Sequence, residues 1–358
     1  MAGNKHQLFL IHGMGKQGAG WSIGMESAIR AAFKGIPMLS NFNFDDVFDF
    51  VPITYDQHFD DLRRQWAKQA ASLMKFLNPL AKGGELDATG KVITKLARAA
   101  DSFQKDDFIR THLLDVFLYR FASNSRHSIR ANVADQILKR LAGLDTTSAM
   151  RWSVIAHSLG TSVAHDVLHE MFSATAQKQK LALGQLTFPN ALVMLANVSR
   201  VLESDIDVYS SIVAPGAPAA PRFAVRHYIN AFHEFDPIPA AAPFEPVSTW
   251  PTPAVRDDGL FRSIRIADIE DLDVHSAEHH IRNPRVHAPM FNAMFDSRIF
   301  GQDEIDRMHA KYRATLPVNR VNELIDELKE FNPRVGDSPA RIIKGWRDFL
   351  DAIEKLKK

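Results

Sequence analysis

At 358 residues the chain is long enough for one large α/β domain or two small ones, with a sizeable core. A hydrophobic share of 46% and a charged share of 24% are ordinary for a globular enzyme. The formal net charge of +1 offers no strong field for nucleic acid or an anionic membrane surface, and the absence of cysteine excludes disulfides, thiolate chemistry and Cys-ligated metals.

Taken in chain order, "HQLFLIHG" (6–13) is an apolar strand ended by glycine, and residues 21–34 follow with the period of an amphipathic helix. "DVFDFVPITYD" (46–56) alternates apolar and polar residues and predicts a second strand. From about 57 to 145 the period is helical, interrupted at Gly83 and Gly84, and its last helix carries Ile129, Val133, Ile137 and Leu141 on one face. "MRWSVIAHSLG" (150–160) is a buried strand running into a turn, with a helix behind it to about 174. Strands are also expected at 190–199, 222–239 and 260–270, the first two separated by the loop "APGAPAAP". His-rich turns follow, then helices near 318–331 and 338–357.

Strands alternating with helices predict a mostly parallel sheet covered on both faces. The stretch 57–145 is too long for a simple crossover and is expected to be an insertion over the C-terminal edge of the sheet, where such folds keep their ligand crevice. No apolar run approaches the roughly 20 residues that span a bilayer. "MAGNKHQ" lacks the layout of a secretory signal, so a cytoplasmic location is expected.

Gly13, Gly15 and Gly18 in "FLIHGMGKQGAGW" fit G-x-G-x-x-G. The nucleotide readings fail on their other requirements. Gln17 stands where a phosphate-binding loop needs a hydroxyl beside Lys16. The first acidic residue after the next strand, Asp56, is about twice as far along as the dinucleotide pattern requires.

"VIAHSLGTSVAHDVL" sets Ser158 between a strand and a helix, in the frame Ala156-His157-Ser158-Leu159-Gly160. This is a nucleophile elbow with Ala for the first Gly of G-x-S-x-G. Small flanking residues are needed because the serine sits on a tight, strained turn whose neighbours press on adjacent backbone. The helix behind it aims N–H groups at developing negative charge.

At these residues, together with "LIHGMG" and "NAFHEFDPIP", the chain resembles the α/β-hydrolase superfamily and its lipase- and esterase-like serine hydrolases over about residues 6–295. The resemblance implies an α/β-hydrolase fold: a mostly parallel sheet flanked by helices, here in one domain spanning 1–358. A helical insertion, able to act as a lid, would occupy about 57–145, with extra C-terminal helices at about 302–358. It also implies an oxyanion hole from the backbone N–H groups of Met14 and Leu159, and the chain order Ser…Asp…His. Asp236, where Pro237 stops the preceding strand, is then the acid, with Glu234 its nearest competitor. "DLDVHSAEHHIRNPRVHAPMF" offers His275, His279, His280 and His287. "VHSAEHHIRNPRV" resembles a family segment that opens on the catalytic histidine, which favours His275, with His287 as the alternative. His275 and His279 have the i, i+4 spacing of zinc ligands without the H-E-x-x-H signature, so no metal and no cofactor are expected.

The expected function is cleavage of a carboxylic ester, a small molecule or lipid, through an acyl-enzyme on Ser158, His275 and Asp236. Leu73, Met74, Phe76 and Leu77 in the insertion would face an apolar substrate or fill the insertion's own core. His157 is expected to pack or hydrogen-bond, Trp21 to pack the oxyanion loop, and Asp115 and Tyr119 to be structural. Two alternatives stay open: an acyltransferase on the same scaffold, and a non-catalytic interaction protein docking through the insertion and the helix "RVNELIDELKEF". The sequence leaves the oligomeric state open.

Overall fold

Six parallel strands form one sheet in the order β2-β1-β3-β4-β5-β6 in a computed structural model of the chain. The structure describes residues 5–13, 20–55, 57, 123–144, 151–173, 188–200, 202–203, 206–216, 224–236, 239, 243–246, 259–270 and 273–316. Its strands are β1 (His6–Ile11), β2 (Phe48–Ile53), β3 (Trp152–His157), β4 (Ala191–Leu195), β5 (His227–His233) and β6 (Phe261–Ile266). Its helices are α1 (Ile23–Gly35), α2 (Phe44–Val47), α3 (Ser123–Ala142), α4 (Leu159–Phe172), α5 (Ala277–Arg282), α6 (Pro284–Phe295) and α7 (Gln302–Arg313). The result is an α/β architecture, a parallel sheet flanked by helices.

The chain divides into two units, one of residues 1–13, 18–53 and 130–358 and one of 14–17 and 54–129. The first holds the whole sheet. Most of the expected insertion, Leu73, Met74, Phe76, Leu77, Asp115 and Tyr119 included, lies outside the described residues, as do the helices expected at 318–331 and 338–357.

The inner strands are near-continuous apolar runs because both faces are covered. On one face Leu8, Leu10, Ile155, Val193, Leu195, Ile229 and Ala231 join α1, α5 and α6 in a single core, with Phe33 edge-on to Phe44, Phe48 and Phe291. On the opposite face Gln7 bonds to Arg140 of α3, and Phe9 meets Trp152 edge-to-face at 5.6 Å. The predicted face of α3 is buried, with Ile129, Val133, Ile137 and Leu141 all 5% exposed or less.

Element boundaries differ from the sequence reading where local chemistry intervenes. The strand expected at 46–56 is preceded by the single turn α2 and covers 48–53. Those expected at 190–199 and 222–239 shorten to 191–195 and 227–233. The "His-rich turns" after β6 are two helices. Ser276 caps α5 through the His279 N–H, and Asn283 caps α6 through the Arg285 N–H with Pro284 at the first helical position. Asn283 is held extended, at φ −72 and ψ 122, as a residue before proline must be, and this breaks one helical stretch into two.

From β1 the chain goes to β2 on one side and returns to β3 on the other, so the strand order reverses at the β1/β3 boundary. The crevice beyond the carboxyl ends of strands at such a reversal is the natural ligand site of an open parallel sheet. Gly13 follows β1 there, and Ser158 follows β3.

Candidate active site

Only Ser158 separates β3 from α4, and its backbone takes φ 52 and ψ −126. Such a conformation costs on the order of 1–3 kcal/mol and persists only where the surroundings over-determine it. Here they do. The Ser158 N–H donates to Leu195 O at 3.0 Å, and its carbonyl accepts the Thr161 N–H at 2.9 Å and the Thr161 hydroxyl at 2.7 Å. Thr161 Oγ1 in turn accepts the Val198 N–H at 3.0 Å.

The small residues around the turn answer to space. A Cβ on Gly160 would stand 2.3 Å from His12 O and 2.6 Å from Ile11 O, and one on Gly13 would stand 2.9 Å from Ser158 Cβ. Any side chain at 160 would push the start of α4 off the end of β1.

Three of the sequence-predicted side chains meet. Ser158 Oγ lies 2.9 Å from His275 Nε2, and His275 Nδ1 lies 2.6 Å from Asp236 Oδ2. A carboxylate only accepts, so Nδ1 carries the proton and Nε2 presents its lone pair to the serine hydroxyl. Asp236 comes from the turn after β5, where its N–H donates to His233 O at 3.0 Å, and it is fully buried. His275 comes from the loop between β6 and α5. Burial works against a charged imidazole, but the charge and hydrogen bond of Asp236, with the charge of Asp273, outweigh it. The His275 pKa therefore sits above the ordinary 6.5.

The other candidates go elsewhere. Glu234 forms an outward ion pair with Arg265 at 2.7 Å. His287 lies in the first turn of α6, where its Nδ1–H donates to Ile281 O at 2.9 Å and burial lowers its pKa to about 4. His279 donates from Nε2 to Asp268 O at 3.0 Å. Among the described residues, no three His, Asp or Glu side chains converge where a metal ion could sit. Leu159 opens the 14-residue helix α4, whose first N–H groups have no partner within the helix and mark its positive end. Met14 lies outside the described residues. Trp21 packs edge-on to His12, ring centroids 4.9 Å apart, and His12 donates from Nδ1 to Gly13 O at 2.7 Å.

One contact had no specific signal in the sequence. His157 donates from Nε2 to the main-chain carbonyl of His275 at 2.6 Å. Its place beside the nucleophile marked it for packing or hydrogen bonding, but the partner is 118 residues away.

Chemically, a hydroxyl hydrogen-bonded to a neutral imidazole, itself backed by a buried carboxylate, can lose its proton as it attacks an electrophilic carbon. No family model matches the chain, and comparison with curated proteins and with solved structures likewise finds no match.

Proposed function

We propose that this chain is a serine hydrolase of the α/β-hydrolase superfamily that cleaves carboxylic esters of small molecules or lipids. The observation that carries the reading is the hydrogen-bonded series Asp236–His275–Ser158, ending on a serine at φ 52 between a strand and a helix. Support comes also from the chain order Ser…Asp…His and from a site at the reversal of strand order.

In this reading Ser158 Oγ attacks the ester carbonyl carbon while its proton passes to His275 Nε2. The imidazolium so formed is stabilised by Asp236, which keeps its negative charge and fixes the tautomer. The tetrahedral oxyanion is received by the Leu159 N–H at the positive end of α4. Collapse expels the alcohol, which takes the proton from Nε2, and leaves an acyl group on Ser158. Water, deprotonated by the same nitrogen, then releases the acid and restores the serine.

Two measurements test this. A fluorophosphonate probe should modify Ser158, and short-chain p-nitrophenyl esters should be hydrolysed, with Ser158→Ala losing both while its melting temperature holds. An unmodified wild-type Ser158 would defeat the reading. Comparing short with long acyl chains separates esterase from lipase behaviour. Adding a nucleophilic alcohol separates transfer, which yields a new ester, from hydrolysis.

A further inference from the structure

Several histidines among the described residues spend a ring N–H on a main-chain carbonyl, among them His12 on Gly13, His157 on His275, His233 and His279 on Asp268, His280 on Ser276 and His287 on Ile281. Four of these bonds fall on the segment 268–276, which leads from the end of β6 to α5 and carries His275. A carbonyl oxygen can only accept, so each bonding nitrogen is protonated. For His233 the other nitrogen agrees, since its Nδ1 accepts the Phe235 N–H at 3.2 Å. Burial above all disfavours the charged form in five of them: His157 and His233 are lowered to about 3, His12 and His287 to about 4, and His280 well below its ordinary value.

The bond from His157 differs from the others because its acceptor is the backbone of His275 itself. The His157 ring fits between two parts of the site. On one side a Cβ at residue 13 would come within 3.1 Å of its Nδ1, so Gly13 leaves just enough room for it. On the other, Nε2 reaches His275 O at 2.6 Å with the two imidazole centroids 5.0 Å apart. His157 is the last residue of β3, so its ring is carried by a strand paired on both sides within the sheet, directly beside Ser158.

We infer that His157 is a positioning residue: by holding the His275 carbonyl from the end of β3, it fixes the imidazole of His275 between Ser158 and Asp236. The inference deepens the proposed function and rests on Ser158 and His275 acting as nucleophile and base. A neutral donor suits the place. A Lys or Arg there would set a permanent cation beside a ring that becomes imidazolium on attack, and would oppose that step. A reacting pair displaced by about 1 Å loses on the order of 100-fold in rate, so a 2.6 Å tether on the main chain of the base has a measurable consequence.

The test uses the full chain with His157→Met, His157→Phe and His157→Gln. Met and Gln are close in shape, but only Gln keeps an N–H for the carbonyl. Expected are a kcat lower by roughly 10- to 100-fold in the Met and Phe variants, with KM within about twofold on the scale of ordinary context effects, and a matching fall in the rate of fluorophosphonate labelling. Gln should recover most of the loss. Proton NMR adds a readout that needs no turnover: the far-downfield signal of the His275 Nδ1–H bonded to Asp236, present in wild type, should broaden or move in Met and Phe and return in Gln. Wild-type kcat and an unmoved signal in any folded donor-less variant would overturn the inference. So would a Gln variant no better than Met when both melt like wild type. If wild type itself is not labelled, the hydrolase reading fails, and the proton signal still decides whether His157 positions His275.

Discussion

Gly160 and Asp236 depend on their surroundings in opposite ways, one on space and the other on charge. Because a Cβ at 160 would stand 2.3 Å from His12 O, Gly160→Ala must shift backbone, which does not yield as a side chain does. A loss of about 1–3 kcal/mol, as for other overpacked sites, is expected in urea unfolding, with slower labelling of Ser158. Asp236→Asn keeps the volume but removes the carboxylate that selects the Nδ1–H tautomer of His275. Ester hydrolysis should fall by about 10⁴ in kcat, as in triads generally. In the proposed hydrolase the same residue sets the pH profile: His275 as base must be neutral, and its pKa is raised, so kcat/KM should be lost as pH falls, on a limb centred above pH 6.5. A limb centred below 6.5 would mean that Asp236 does not control the base.

At the scale of elements, α3 and α4 are joined by one buried cation. Arg130, 1% exposed in its side chain, pairs with Asp166 and with Glu170, the latter at 2.9 Å. Buried pairs of this kind stabilise little as a whole but are costly to break from one side. Asp166→Ala should cost about 3 kcal/mol, near the low end for a stranded buried charge because Glu170 remains, as read from the denaturant midpoint. The pair follows from helix packing and cannot be read from the period of either helix. The period did locate the apolar face of α3, since burial of Ile129, Val133, Ile137 and Leu141 needs only that the helix form against something apolar.

Across the whole molecule, buried neutral histidines make the fold sensitive to acid. His6, His12, His157, His233 and His287 have pKa values lowered to about 3–4, and His280 lies well below its ordinary value, burial being the largest cause for each. Below about pH 6.5 the unfolded chain takes up protons on these rings while the folded chain does not. Stability is therefore fully present above that pH and falls with pH until the folded values are reached. Each such ring contributes about 1 kcal/mol per pH unit in that window. His275, raised instead, has the opposite sign: its contribution is present at low pH and is lost as pH rises through its folded value. The larger set should prevail, so the unfolding free energy from urea titration should drop by several kcal/mol between pH 6.5 and 5, and the midpoint with it. An unchanged midpoint would mean that these rings are charged in the folded protein.

The parallel α/β class, the positions of the strands and the serine elbow were all legible in the sequence, because each rests on short-range rules: apolar runs, helical period, and small residues where a strand turns into a helix. The place of Asp236 after β5 was legible from Pro237, and its contact with His275 is what the tertiary structure adds. His275 and His287 stayed open because helix caps fix where the two lie. Ser276 and Asn283–Pro284 turn an apparent loop into α5 and α6, leaving His275 before the first helix and seating His287 in the second. Only the tertiary structure decided the rest. The 2.9 Å and 2.6 Å bonds join residues 117 and 39 positions apart, and the hold of His157 on His275 spans 118. Contacts at such separations are set by strand order, which places the ends of β3, β5 and β6 at one edge of the sheet, and no local pattern of residues encodes that order.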